Sequence, residues 1–223
     1  VREALLIAGK DLRVEARSRI VLNQVAPFAV LVLVLFGFAF DASVETDALV
    51  RFTPGLFWVT VLFVALLTLQ RSVAVELGDS AMSGLRLSGV SGVRIFAGKA
   101  LAVIVQLLAL EVLLVAGVVV FYGSRVSDIL LLVLTCLLAA VGIGTAGSLY
   151  GVLAVGLGVR ETLLPILLLP VLAPVLIGAT KAFDDALGVA VVNGWAWLSL
   201  LAAFAVAYVV AGALSYGLVL EDM

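Results

Sequence analysis

"RSVAVELGDSAMSGLRLSGV", residues 71–90, is the longest polar interruption in a chain otherwise dominated by Leu, Val and Ala. It sets Arg71, Glu76, Asp79 and Arg86 between two apolar runs of bilayer length. About twenty consecutive apolar residues cross a bilayer as a helix. A charged stretch enclosed by such runs reads as a segment that leaves the membrane and returns to it. The fold expected around it is an all-α membrane protein.

Working outward, six apolar runs are read as spans: 21–40, 54–69, 100–121, 129–155, 163–180 and 195–220. The second opens at Pro54-Gly55. The fourth is long enough to require tilt or a kink. The fifth contains Pro165, Pro170 and Pro174, and the sixth is entered through Trp195 and Trp197, which suit an interfacial belt. Together they make one transmembrane domain over residues 1–223, with 71–99 as a segment between spans two and three.

Composition agrees. Of 223 residues 65% are hydrophobic, with 13 basic and 15 acidic residues and a net charge of -2. A soluble domain is nearer half apolar, and this balance gives no handle for nucleic acid. There is no His and a single Cys, Cys136. That removes His-based acid–base chemistry, His ligation of haem iron and any paired-Cys metal site. No cleavable signal peptide is read at the start, because charges run through the first twenty residues.

Lys and Arg set the expected topology. Arg2, Lys10, Arg13, Arg17, Arg19, Arg71, Arg86, Arg94, Lys99 and Arg160 fall on one side of the six spans. The other side has only Arg51, Arg125 and Lys181, accompanied by acids such as Asp128, Asp184 and Asp185. Both termini are therefore expected in the cytoplasm.

Residues 1–20 read as a surface helix rather than a span. At about 100° per residue, Leu5, Ala8, Leu12, Ala16 and Ile20 share one side, with Arg2, Lys10, Arg13 and Arg17 on an adjacent arc. A basic amphipathic helix of this kind lies in the membrane interface, held by anionic lipid or offering a surface to a soluble partner.

No GxxxxGK[ST] phosphate loop occurs, so the chain does not bind ATP by that device. GxSxG and HExxH are absent too. An enzyme acting alone is not expected. In 71–99, Glu76, Asp79 and Ser80 can share a helical face, with Gly78, Gly84 and Gly89 as punctuation; an ordinary solvated loop is the plain alternative.

Four further features stand out. Glu111 is a carboxylate well inside a span with no basic residue at similar depth, which suggests either a gating or substrate role or a structural hydrogen bond. The three prolines read as a broken helix that bends. "GIGTAGSLYG" (142–151) is rich in small residues and permits close helix packing; Tyr150 within it is a weak ligand candidate. Cys136 reads as core.

The stretch from Phe52 to Ala102 resembles the core of the CcmB family, the membrane subunit of the cytochrome c maturation ABC transporter. Pro54, Gly55, Trp58, Glu76, Leu85, Leu87, Ser88, Gly98, Lys99 and Ala100 carry the likeness, and "LLPILLLPVLAPVLIGATKA" (163–182) resembles the family's proline-rich fifth span. Gly89 departs from it, standing where the family has proline. The resemblance implies six helices of the ABC-2 exporter type and a permease with a coupling helix in 71–99. On this implication Glu76, Asp79, Met82, Leu85 and Arg86 meet the ATPase, with charges selecting the partner and Met82, Leu85 and Leu87 filling an apolar pocket. The implied partners are a CcmA-like ABC ATPase that carries the ATP, a second copy of this chain, a haem-handling CcmC-like membrane protein, a haem chaperone and membrane lipid. No cofactor is expected on this chain itself, and haem is the implied cargo of the complex. Two other functions fit the residues: a permease exporting a lipid, drug or polysaccharide, and a scaffold with no transport cycle.

Overall fold

The computed structural model describes residues 2–19, 21–39, 46–78, 90–156 and 163–221. Among these the fold is all-α. In chain order the elements are α1 (Arg2–Ser18), a π-helical turn (Val21–Val25), α2 (Ala26–Ala39), α3 (Thr46–Gly78), α4 (Gly92–Tyr122), α5 (Ile129–Gly156), α6 (Leu163–Ala186) and α7 (Gly194–Glu221). Five helices are long and apolar enough to cross a membrane, and there is a sixth span if the pair Arg2–Ser18 and Asn23–Ala39, bent by 54°, counts as one.

Several boundaries differ from the sequence expectation for physical reasons. The second span begins at Thr46 instead of residue 54, and Pro54 lies inside a 33-residue helix. Polar Thr46 and Asp47 suit a helix start. The third span begins at Gly92 instead of residue 100. Arg94 and Lys99 belong to its first turns because both find acidic partners on α1. The fifth expected span, α6, runs as one helix through Pro170 and Pro174 to Ala186, past the expected end at residue 180. Pro165 falls in its first turn, where a missing N–H costs nothing. Beside Pro174, the carbonyl of Val171 accepts a hydrogen bond from the Tyr208 hydroxyl at 2.5 Å. Neighbouring helices satisfy backbone groups near a membrane proline in this way. The first span is the least regular: α2 alone has 14 residues, preceded by the π turn.

α5 is the hub, packing against α3, α4, α6 and α7. The small residues of "GIGTAGSLYG" make this possible. A Cβ at Gly144 would lie 2.6 Å from Ile104 of α4, and one at Gly147 would overlap the Leu69 side chain of α3. A Cβ at Gly142 would sit 3.4 Å from Val175 of α6. One glycine-rich helix thus faces three neighbours at short range, which is how helices associate where no hydrophobic effect drives them together. Around it, Leu33, Phe57, Leu107, Leu114, Leu131, Ile143, Leu172 and Leu201 form the fully buried core, and Cys136 belongs to the same core.

At the end of the bundle away from α1, side chains cap the helices. Asp128 accepts the N–H of Leu131 at 3.0 Å, and Asn193 accepts that of Ala196 at 3.2 Å. Asp185 receives the N–H of Gly194 at 2.8 Å. Lys181 pairs with Asp184 at 3.0 Å, and the Thr53 and Ser124 hydroxyls meet at 3.3 Å.

Candidate functional site

The first part of the interruption at 71–90 is absorbed by a helix. Arg71–Gly78 are the last turns of α3, which places Glu76 on that helix, and the following helix starts at Gly92. Only 79–91 connects them. The side chain of Glu76, together with Asp79, Met82, Leu85 and Arg86, lies outside the described residues.

What the structure does assemble beside this connection is a clamp between α1 and the start of α4. Gly98 is its centre. A Cβ there would lie 2.7 Å from Ile7 Cβ and 2.8 Å from the Ala4 carbonyl oxygen, so the two backbones touch where no side chain fits. On either side of this contact stands an ion pair. Arg94 Nη1 meets Glu3 Oε2 at 2.7 Å, and Lys99 Nζ meets Asp11 Oδ2 at 3.5 Å. The first pair is half-exposed and contributes little by itself. The second is different, because Lys99 is only 5% exposed. A buried ammonium is tolerated when it is paired, and its removal from the pair is penalised by several kcal/mol on the scale of ~3–5. Ala100, 3% exposed, completes the triplet by packing into a satellite cluster with Ile7, Ile95, Phe96, Leu149, Val152 and Tyr216. "Gly-Lys-Ala" at 98–100 is therefore a docking device for the N-terminal helix.

This changes the reading of α1. The sequence assigned its apolar side to Leu5, Ala8, Leu12, Ala16 and Ile20. In the structure Ile7 and Ala8 are buried, Leu5 is 56% exposed and Ala16 is exposed; Ile20 lies outside the described residues. The inward face rotates because α1 packs on protein, and its acids decide the register. Asp11 meets Lys99, Glu3 meets Arg94, and Glu15 accepts the N–H of Val21 at 2.8 Å, holding the turn into α2. Arg19, with φ 53, makes the bend.

Beneath the clamp α3, α4, α5 and α7 converge on a cavity of about 10 Å³ lined by Ser72, Lys99, Ser148 and Tyr216, among others. That is room for one water at most. The Ser148 hydroxyl and the nearby Thr68 hydroxyl are buried without a hydrogen-bond partner among the described residues.

Glu111 sits on α4, 2% exposed, and neither of its carboxyl oxygens has a hydrogen-bond partner among the described residues. The structural hydrogen bond considered for it finds no acceptor or donor there. Its helix faces α5. Trp58 Nε1 is likewise buried without a hydrogen-bond partner among the described residues, its ring held edge-on by Phe57 and Phe183. The structure thus brings Gly98 and Lys99 to one site with Arg94, and it places Glu111 and the prolines elsewhere. Asp11, Glu3 and Tyr208 went unnoticed in the sequence. Only the α1 acids left a trace there, as charges recurring at helical spacing.

Among the described residues no group of three His, Cys, Asp or Glu side chains could hold a metal ion. The sequence model of one family, described as CcmB protein, matches residues 2–221. No curated protein matches the chain.

Proposed function

The chain belongs to the CcmB family, the permease of the cytochrome c maturation haem exporter, and on that footing we propose how it couples to its ATPase. The family is a transporter membrane subunit working in an ABC context with CcmA, and the chain is not itself catalytic. In our reading both termini, α1 and the 79–91 connection lie on the cytoplasmic side of the bacterial inner membrane. Lys and Arg concentrate at that end.

One observation supports the coupling role above the rest. α3 and α4 have 33 and 31 residues, so each is nearly 50 Å long at about 1.5 Å per residue, against a hydrocarbon core of ~30 Å. Both helices project toward the connection at 79–91. A push on that connection acts directly on two spans. Asp79, Met82, Leu85 and Arg86 form the contact with the ATPase, and Glu76 stands on the helix leading into it. The clamp on α4 makes α1 part of the same moving body. Pro170 and Pro174 allow α6 to flex against α7 as that body shifts.

The complex contains two copies of this chain, a CcmC-like haem-handling protein and a haem chaperone. Haem is the cargo. The chain has no His to hold its iron, so its part is to drive release or handover of haem bound elsewhere. The test is ATPase stimulation in nanodiscs. Wild-type chain stimulates the partner ATPase, whereas Asp79→Ala with Arg86→Glu abolishes stimulation and leaves the permease folded. Equal stimulation by the double variant would refute the assignment of 79–91.

A further inference from the structure

We propose that the outward face of α1 is a docking surface for anionic phospholipid headgroups. This rests on placing α1 at the cytoplasmic leaflet. The clamp sorts the charges of α1 by sign. Glu3 and Asp11 are engaged by Arg94 and Lys99 of α4, and Glu15 is engaged by the backbone of Val21. Every acid of the helix thus has a partner. Arg2, Lys10, Arg13 and Arg17 are all exposed. Lys10 reaches Asp11 at 3.0 Å, while Arg2, Arg13 and Arg17 make no ion pair among the described residues.

At about 100° per residue these four cations cover one arc of the helix opposite Ile7, Ala8 and Asp11. Leu6, 64% exposed, stands within that arc, and Leu5, 56% exposed, borders it. An apolar side chain ringed by Arg and Lys suits the boundary between headgroups and acyl chains, where the Leu inserts and the long cations reach the phosphates. Position agrees as well. Arg19 lies at the bend of 54° that leads through the Val21–Val25 turn into the apolar α2, so the C-terminal end of α1 lies at the membrane's edge. An acidic face on the ATPase would satisfy the cations but leave Leu5 and Leu6 without purpose.

The experiment uses the full chain with its ATPase in nanodiscs of phosphatidylcholine containing zero to two-fifths phosphatidylglycerol. A polarity-sensitive fluorophore is placed at Leu6→Cys in a Cys136→Ala background whose thermal midpoint matches wild type. The expected result is a blue shift and quenching by brominated lipid that grow with phosphatidylglycerol. Adding Arg13→Gln and Arg17→Gln lowers the lipid-embedded to free ratio about thirty-fold, from about 1 kcal/mol per cation near an anionic surface. A probe indifferent to phosphatidylglycerol but shifted by the ATPase would overturn the proposal in favour of a protein partner. A probe indifferent to both would overturn it in favour of a bare solvated face. ATPase stimulation in the same discs tests the coupling role separately, since it fails or survives independently of the lipid response.

Discussion

Gly98→Ala is the smallest change that tests the clamp. The added methyl would sit 2.7 Å from Ile7 Cβ and 2.8 Å from the Ala4 carbonyl oxygen. Carbon atoms prefer about 3.5–4.0 Å, so α1 has to retreat by about 1 Å. Neither obstacle can rotate away, because one is a Cβ and the other is backbone. The same retreat stretches the Lys99–Asp11 pair from 3.5 Å past ion-pair range. Overpacking of this kind costs roughly 1–3 kcal/mol, which raises the undocked fraction of α1 about 5- to 150-fold. Hydrogen exchange of α1 amides in nanodiscs reads that fraction directly, and their rates are expected to rise by that factor while α5 amides stay unchanged. Gly9→Ala is the control on the same helix. A Cβ there meets nothing within 4 Å, so it slows exchange through the better helix propensity of Ala, by up to about 1 kcal/mol. If Gly98→Ala leaves α1 exchange at the wild-type rate, the close approach is not what holds the helix.

Other expectations follow from the same contacts. Lys99→Met with Asp11 intact destabilises α1 docking, and Lys99→Met with Asp11→Leu restores most of it, as a double-mutant cycle on the same exchange rates shows. Gly92→Val lowers the thermal midpoint in detergent, because a Cβ at Gly92 would lie 2.5 Å from the Gly217 Cα and only backbone can yield. Tyr208→Phe removes the hydrogen bond to the Val171 carbonyl and costs about 0.5–1.5 kcal/mol in mixed-micelle unfolding. Glu111→Leu leaves the thermal midpoint at or above wild type, since it breaks no hydrogen bond among the described residues. If Glu111 serves transport, cytochrome c maturation in cells carrying Glu111→Leu falls at least tenfold. Unimpaired maturation would leave Glu111 without a role.

The spans were legible because bilayer thickness imposes a long apolar run, and the glycines of 142–151 announced their packing. Helix ends were less legible. Charges at 71–78 and 92–99 read as a polar segment, yet they lie on helices that extend past the apolar zone, where charge no longer opposes helix formation. Pro54 looked like a start signal and lies within α3. The face of α1 was misread because its apolar periodicity was weighed without its acids. The partners of Glu3 and Asp11 lie some ninety residues away on α4, and no local pattern encodes such a pairing. The family-like triplet at 98–100 was recognisable in the sequence, but its task emerged only when α1 was seen against it.

The most direct test of the central claim is covalent haem staining of membrane proteins from cells lacking this chain. The account predicts that c-type cytochromes disappear, return with the wild-type chain, and do not return with Asp79→Ala combined with Arg86→Glu. Staining that persists without the chain would contradict its place in cytochrome c maturation.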